Sequence, residues 1–251
     1  SDISGATRTT LRLTDNEIGR YIRIKEIATN VYGSVPATST ATAPIGSSPV
    51  ASGTLTLSGT ASVGSTLSMT NNLTINGYPT PTVSTQWFRC TSALRTQTTN
   101  TPAFCAAISS ATGDTYSLVS ADSGTFISVA RIATSTAGTL TVYSASTTTA
   151  IGQAPTNSAL PVITGNAAVN QTLSVTPGTW SGSPTPRLSY QWLSCTTTDA
   201  SSCSEISGAT RTTLRLTAKL KDLYIRVRET ATNAISAPSV VSLSTTKVAA
   251  V

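Results

Sequence analysis

Residues 206–233 read ISGATRTTLRLTAKLKDLYIRVRETATN, and residues 3–30 read ISGATRTTLRLTDNEIGRYIRIKEIATN. The first twelve letters are identical, and 1–34 against 204–237 gives 20 identities in 34. Within the stretch, TTLRLT and YIRVRETATN alternate apolar and polar residues with the period of two that a strand requires. A looser third version runs from Ile108 through Thr115-Tyr116-Ser117-Leu118 to FISVARIAT at 126–134. Upstream, STQWFRC at 84–90 answers SYQWLSC at 189–195, and Tyr78-Pro79-Thr80-Pro81 answers Ser183-Pro184-Thr185-Pro186. The chain therefore repeats with a period of about 100 residues.

Composition agrees with strands. Ser and Thr make up about a third of the 251 residues, aromatics 5% and charged residues 10%. Thr, Val and Ile favour strands, Gly, Pro, Asn and Ser favour turns, and the usual helix formers are scarce. The expected class is all-β. No apolar run approaches 18 residues, so membrane insertion is not expected.

The same composition argues against an enzyme. The chain has no histidine, which removes the commonest general base and most catalytic zinc sites. The ten carboxylates are scattered, and no calcium-loop, phosphate-loop or G-x-S-x-G pattern occurs among the residues. Neither catalytic residues nor a cofactor or metal is expected. The net charge of +6 is uneven, +4 in residues 152–251 and +1 in each of 1–50 and 51–151. Nucleic-acid binding calls for a denser basic stripe with interleaved aromatics, and is not expected.

The period divides the chain into a partial copy over 1–46, a middle copy over 47–153 and a last copy over 154–251. Joints rich in Thr, Pro and Ser fall near 36–50 and 150–160. In the last copy, strands are expected over 160–165, 171–180, 188–195, 212–217, 223–233 and 238–245. Gly165-Asn166, Gly178, Gly182 to Pro186 and Ser207-Gly208 separate them. About seven strands per copy at this spacing suggest a Greek-key β-sandwich, with a closed barrel as the alternative.

Four cysteines fall as Cys90 with Cys105 and Cys195 with Cys203. Three connectivities are open, and one pair per copy favours the local one, with reduced thiols as the alternative. Disulfides would imply an oxidising, extracellular setting. Along 188–195, Leu188, Tyr190 and Trp192 share one face, while Gln191, Leu193 and Cys195 share the other. With Trp192 and its counterpart Trp87 pointing inward, each bridge pins a loop to its own strand. Trp87, Trp192 and Trp180 are the expected core anchors, and Ile75 takes the place of Trp180 in the middle copy.

The succession G-T-W-S-G-S-P-T-P, Y-Q-W-x-x-C, a second Cys before I-x-G-A-T, T-L-x-L-T and I-R-V-x-x-x-A-T-N resembles the immunoglobulin-like tandem repeats of large secreted or surface-attached bacterial proteins. The resemblance covers nearly the whole chain. It implies tandem immunoglobulin-like sandwiches in an extracellular protein that bears load or adheres, and it carries no catalytic residues. The middle copy departs from it in Ile75 and in the longer loop 91–104. The last copy departs in Leu220-Lys221-Asp222, where the others have Asp122-Ser123-Gly124 and Glu17-Ile18-Gly19.

Several residues suggest contacts. Arg226 and Arg228 share the outward face of one strand, as do Arg23 and Lys25 in the partial copy. They form a candidate interaction face for an anionic glycan or a neighbouring chain, with cross-strand charge pairing as the alternative. The inter-cysteine loops, 91–104 above all, are where an adhesive module would bind. Glu229 has inward parity and is expected at a rim where its head reaches water, the alternative being a half-buried polar contact at a joint. Residues 1–46 supply only late strands, so Leu11, Leu13, Ile22, Ile24 and Ala28 should be bare. The early strands are expected either from an upstream segment of the same polypeptide or by strand donation from an identical subunit. A structural stalk or filament unit is the expected function, with a glycan-binding module as the alternative.

Overall fold

The computed structural model describes residues 1–250 and is all-β. Its elements are β1 (Lys25–Asn30), β2 (Gly33–Thr38), β3 (Ser47–Ser58), β4 (Thr66–Tyr78), β5 (Thr82–Cys90), β6 (Cys105–Ala107), β7 (Thr115–Ser117), β8 (Phe126–Ser135) and β9 (Gly138–Tyr143). There follow β10 (Gln153–Ala159), β11 (Val162–Thr164), β12 (Thr172–Thr176), β13 (Thr179–Ser183), β14 (Arg187–Cys195), β15 (Cys203–Glu205), β16 (Thr213–Arg215), β17 (Tyr224–Thr232) and β18 (Ser239–Val241). Among the described residues the only helical elements are four single turns of 3-10 helix.

Contacts divide the chain into two compact bodies. One comprises Ser1–Gly59, Leu67–Tyr116 and Phe126–Thr148; the other comprises Thr60–Thr66, Ser117–Thr125 and everything described from Thr149 on.

In the second body, β15-β14-β17-β18 form a four-stranded sheet, β11-β12-β16 a three-stranded one, and β10 pairs with β13. Leu173 and Val175 from β12 and Leu214 from β16 meet Trp192 from β14 and Ile225 and Val227 from β17 in one buried cluster. The core therefore lies between two sheets, as in a sandwich. In the first body the corresponding sheets are β6-β5-β8-β9 and β3-β4-β7, and Trp87 of β5 stacks on Tyr116 of β7 at 5.6 Å.

Proline placement explains why the copies differ in strand number. The 12-residue β3 and 13-residue β4 are single strands whose pairing shifts register only between Ser47 and Val50, around Pro49. Their counterparts are interrupted, β10 from β11 at Leu160-Pro161 and β12 from β13 at Pro177-Gly178, because proline lacks the N–H a ladder needs. The stretch expected as one strand over 171–180 is thus two. The joint expected near 150–160 is occupied by β10, whose pairing with β13 tolerates Pro155 through shifts in register.

One late-strand pattern occurs three times. Thr245 and Ser242 hydroxyls accept from the Ile225 and Val227 amides, Thr147 and Ser144 from Ile127 and Val129, and Thr42 and Ser39 from Ile22 and Ile24, all at 3.0–3.3 Å. A Ser or Thr at these places satisfies amides that the irregular edge segment leaves unpaired. The acid at the preceding turn varies. Glu17 accepts from the Thr14 amide at 2.8 Å and the Thr14 hydroxyl at 2.7 Å, and these bonds, the hydroxyl first, hold its carboxyl below the usual range. In the last copy Leu220 stands there and joins the core instead.

Candidate interaction surfaces

Both disulfides are formed, Cys90–Cys105 and Cys195–Cys203. Each joins directly opposed residues of neighbouring strands, β5 with β6 and β14 with β15, so neither crosses the core. Trp87 and Trp192 are wholly buried. Their indoles donate to the Gly113 and Arg211 carbonyls at 2.8 and 2.7 Å. The preceding glutamine works beside each of them. Gln86 donates to the carbonyls of Trp87 and Ile108, and Gln191 to those of Trp192 and Ile206, tying the loop after the bridge back to the strand.

Trp180 and Glu229 depart from expectation together. Trp180 is half-buried on β13 and lies outside the apolar cluster. Glu229 reaches no water at all, being 0% exposed. Its Oε2 accepts from the Trp180 indole at 2.8 Å and from the Gly178 amide at 3.0 Å. Tyr190 stands opposite Glu229 in register, and burial, then the Glu229 charge, push its phenol up from its ordinary value. Gly178 is obligatory in this arrangement. A Cβ there would come within 2.4 Å of the Ala159 carbonyl oxygen and 2.8 Å of Glu229 Oε2. Parity alone placed Glu229 inward, but its donors come from a strand about 50 residues away. The signal that could have found them is a joint change between copies: Trp180, Tyr190 and Glu229 are replaced by Ile75, Thr85 and Arg131. In that second set the Arg131 guanidinium donates to the Thr85 hydroxyl at 2.7 Å.

The four basic residues of the candidate face are not equivalent. Arg226 donates through Nη1 to the Ser242 carbonyl at 2.6 Å and through Nη2 to the Thr198 carbonyl. Arg228 pairs with Glu205. Both guanidinium groups are thereby committed within the last copy, whereas Arg23 and Lys25 are exposed. The long loop 91–104 is likewise engaged. Thr98 exchanges backbone bonds with Tyr143 beside the end of β9, and the Gln97 side chain accepts from the Leu55 amide at 2.6 Å and donates to the Gly53 carbonyl at 3.1 Å. The loop thus covers strand edges that would otherwise be open to pairing.

No protein-family model matches this sequence, and no curated protein does.

Residues 1–46 expose several apolar side chains that are buried in the last copy. Leu11, Leu13 and Ile24 are 39%, 44% and 60% exposed, while their counterparts Leu214, Leu216 and Val227 are 8%, 0% and 0%. An open depression of about 330 Å³ bounded by Ile3, Leu11 and Arg12 lies on this segment, where the last copy has Ile206 and Leu214 packed in its core. The β1–β2 hairpin nevertheless keeps the register of β17–β18: Lys25 faces Thr38 as Arg228 faces Val241, and Glu26 faces Ala37 as Glu229 faces Val240. What β17 has and β1 lacks is a strand in the place of β14.

Proposed function

We propose that this chain is a non-catalytic, extracellular structural repeat protein, a stalk or filament unit built from immunoglobulin-like sandwiches in tandem. The observation that carries the reading is the recurrence of one late-strand pattern three times along the chain, each time with its Ser and Thr hydroxyls accepting from the corresponding two amides. Where early strands are present, the face of this pattern packs into a core, Val129 and Val227 both being wholly buried, and burying apolar area is what offsets the ordering entropy of a sandwich. The two disulfides support an oxidising compartment. The adhesive alternative draws less support, since Arg226, Arg228 and loop 91–104 are engaged internally.

Light scattering and negative-stain microscopy of the purified chain, alone and in longer arrays of the same sequence, test this reading. Beaded rods whose length grows by one bead per period are expected. A globule of unchanging length, or a monomer in which residues 1–46 resist amide exchange unaided, would overturn it.

A further inference from the structure

We propose that the open edge of β18, with the apolar groove beside it, is a docking site for an extended aliphatic segment of another polypeptide, bound as an added strand. The site lies within the last copy alone and goes beyond the structural-repeat reading, since either can fail without the other. The groove, about 290 Å³, has Leu160 to Ile163 on one wall and Leu243 to Thr245 on the other. Leu160, Val162 and Leu243 are 43%, 56% and 75% exposed, and no residue lining the groove carries a charge.

What covers such a groove is visible in the middle copy, where loop 91–104 is strapped along the corresponding edge. The Ser146 amide donates to the Leu94 carbonyl at 2.8 Å, the Leu94 amide to the Ser146 hydroxyl at 3.0 Å, and Thr98 and Tyr143 exchange two backbone bonds. Across the groove Gln97 closes on Leu55 and Gly53. Register puts Val241 in the place of Tyr143, and hence Ser244 in that of Ser146. The last copy has no such strap, its cysteines lying 8 positions apart rather than 15. Among the described residues β18 has β17 on one side and no strand on the other, and neither the amide nor the hydroxyl of Ser244 has a partner.

The walls say how the occupant differs from the strap. Leu160, Pro161, Val162 and Leu243 replace Thr54, Leu55, Thr56 and Ala145. Pro161 has no N–H where the Leu55 amide donates to Gln97. The Ala159 carbonyl, standing where Gly53 does, already accepts from the Asn157 side chain at 2.8 Å. Both anchors of a glutamine side chain are gone, and aliphatic surface takes their place. A backbone still finds the Val241 and Ser244 groups whose counterparts bind the strap. The fitting occupant therefore pairs along β18 and lays an aliphatic side chain where the strap has Gln97.

The test is an NMR titration of the full chain with two short linear peptides, which need no fold of their own. One is residues 92–99, SALRTQTT, and the other is the same peptide with Gln97→Val. The valine peptide should shift and protect the amides of residues 241–245, and leave unchanged those of 143–147, which the strap covers. The glutamine peptide should bind about tenfold more weakly, because its side-chain amide would be buried without a partner. Leu243→Arg, a change at an exposed position, should abolish binding of the valine peptide. No response at 241–245 to either peptide, equal affinity for both, or binding that survives Leu243→Arg overturns the proposal. Dimerisation of the chain alone that Leu243→Arg abolishes also overturns it, by making a second copy the occupant. None of these results bears on the growth of rods with added periods, by which the structural-repeat reading is judged.

Discussion

Glu229 is a residue whose single replacement strands several buried groups at once. Two donors, the Gly178 amide and the Trp180 indole, depend on its carboxyl. Glu229→Ala leaves them without an acceptor in a site closed to water, and should lower the unfolding free energy by about 2–3 kcal/mol in a denaturant titration. Glu229→Gln keeps an acceptor oxygen and should lose about half as much. Tyr190 adds a pH dependence of definite sign. Its folded pKa is raised above the ordinary value of 10.0, by burial first and the Glu229 charge second. The stability linked to it is therefore complete below pH 10 and declines as pH rises toward the folded value, because the unfolded chain releases the proton first. Tyr190→Phe should flatten that alkaline decline, as read from thermal midpoints between pH 9 and pH 11. Sequence reading reached Trp87 and Trp192 because alternation places them on one face with certain neighbours. It misplaced Trp180 because β13 joins β10 outside the buried cluster, a pairing that no local pattern announces.

At the scale of elements, strands were legible wherever the period of two was uninterrupted. β14 and β17 lie within two residues of the expected 188–195 and 223–233. β10 was hidden by Pro155, and β15 by its length of three residues. β15 nevertheless matters, since it carries the second cysteine of its bridge. Closing a loop with a sequence separation of 8 contributes about 2.5 kcal/mol through the unfolded state. Replacing both Cys195 and Cys203 by alanine should cost that much, with little change in strand content by circular dichroism. The strap over 91–104 has a different task, covering edges of β3 and β9. Gln97→Ala removes its bonds to Gly53 and Leu55 and should cost about 1 kcal/mol. Because it reopens part of an edge, it should also raise concentration-dependent aggregation seen by light scattering.

For the whole molecule, the decisive contrast is between two nearly identical sequences in unlike surroundings. ISGATRTTLRLT occurs in both, yet Leu214 and Leu216 are buried while Leu11 and Leu13 are bare. Local sequence therefore specifies the hairpin and its register, and the early half specifies whether that hairpin acquires a core. Amide exchange should show this directly: in the isolated chain, residues 20–38 should exchange orders of magnitude faster than residues 223–241. Equal protection of the two would mean that the partial copy finds a cover of its own. The repetition, the bare face and the buried tryptophans were all readable from the letters. The indole-to-carboxyl contact was not, because it arises only when residues 180 and 229 are brought together across the fold.

The placement of the disulfides bears on how the molecule would respond to tension. Each bridge staples adjacent strands of one sheet near a chain reversal, and Cys195–Cys203 locks a loop whose ends are only 8 positions apart. No disulfide joins the two sheets of the last copy, so a pull on its ends is borne by its hydrogen bonds and its packed core. Once those give way, roughly 90 residues are free to extend to about 300 Å, less the span of the folded copy. A bridge across the sheets would have short-circuited that length. Single-molecule stretching should therefore record one long step for the last copy, lengthened on reduction by only the small loop. A chain of such elements is a line that gives before it breaks.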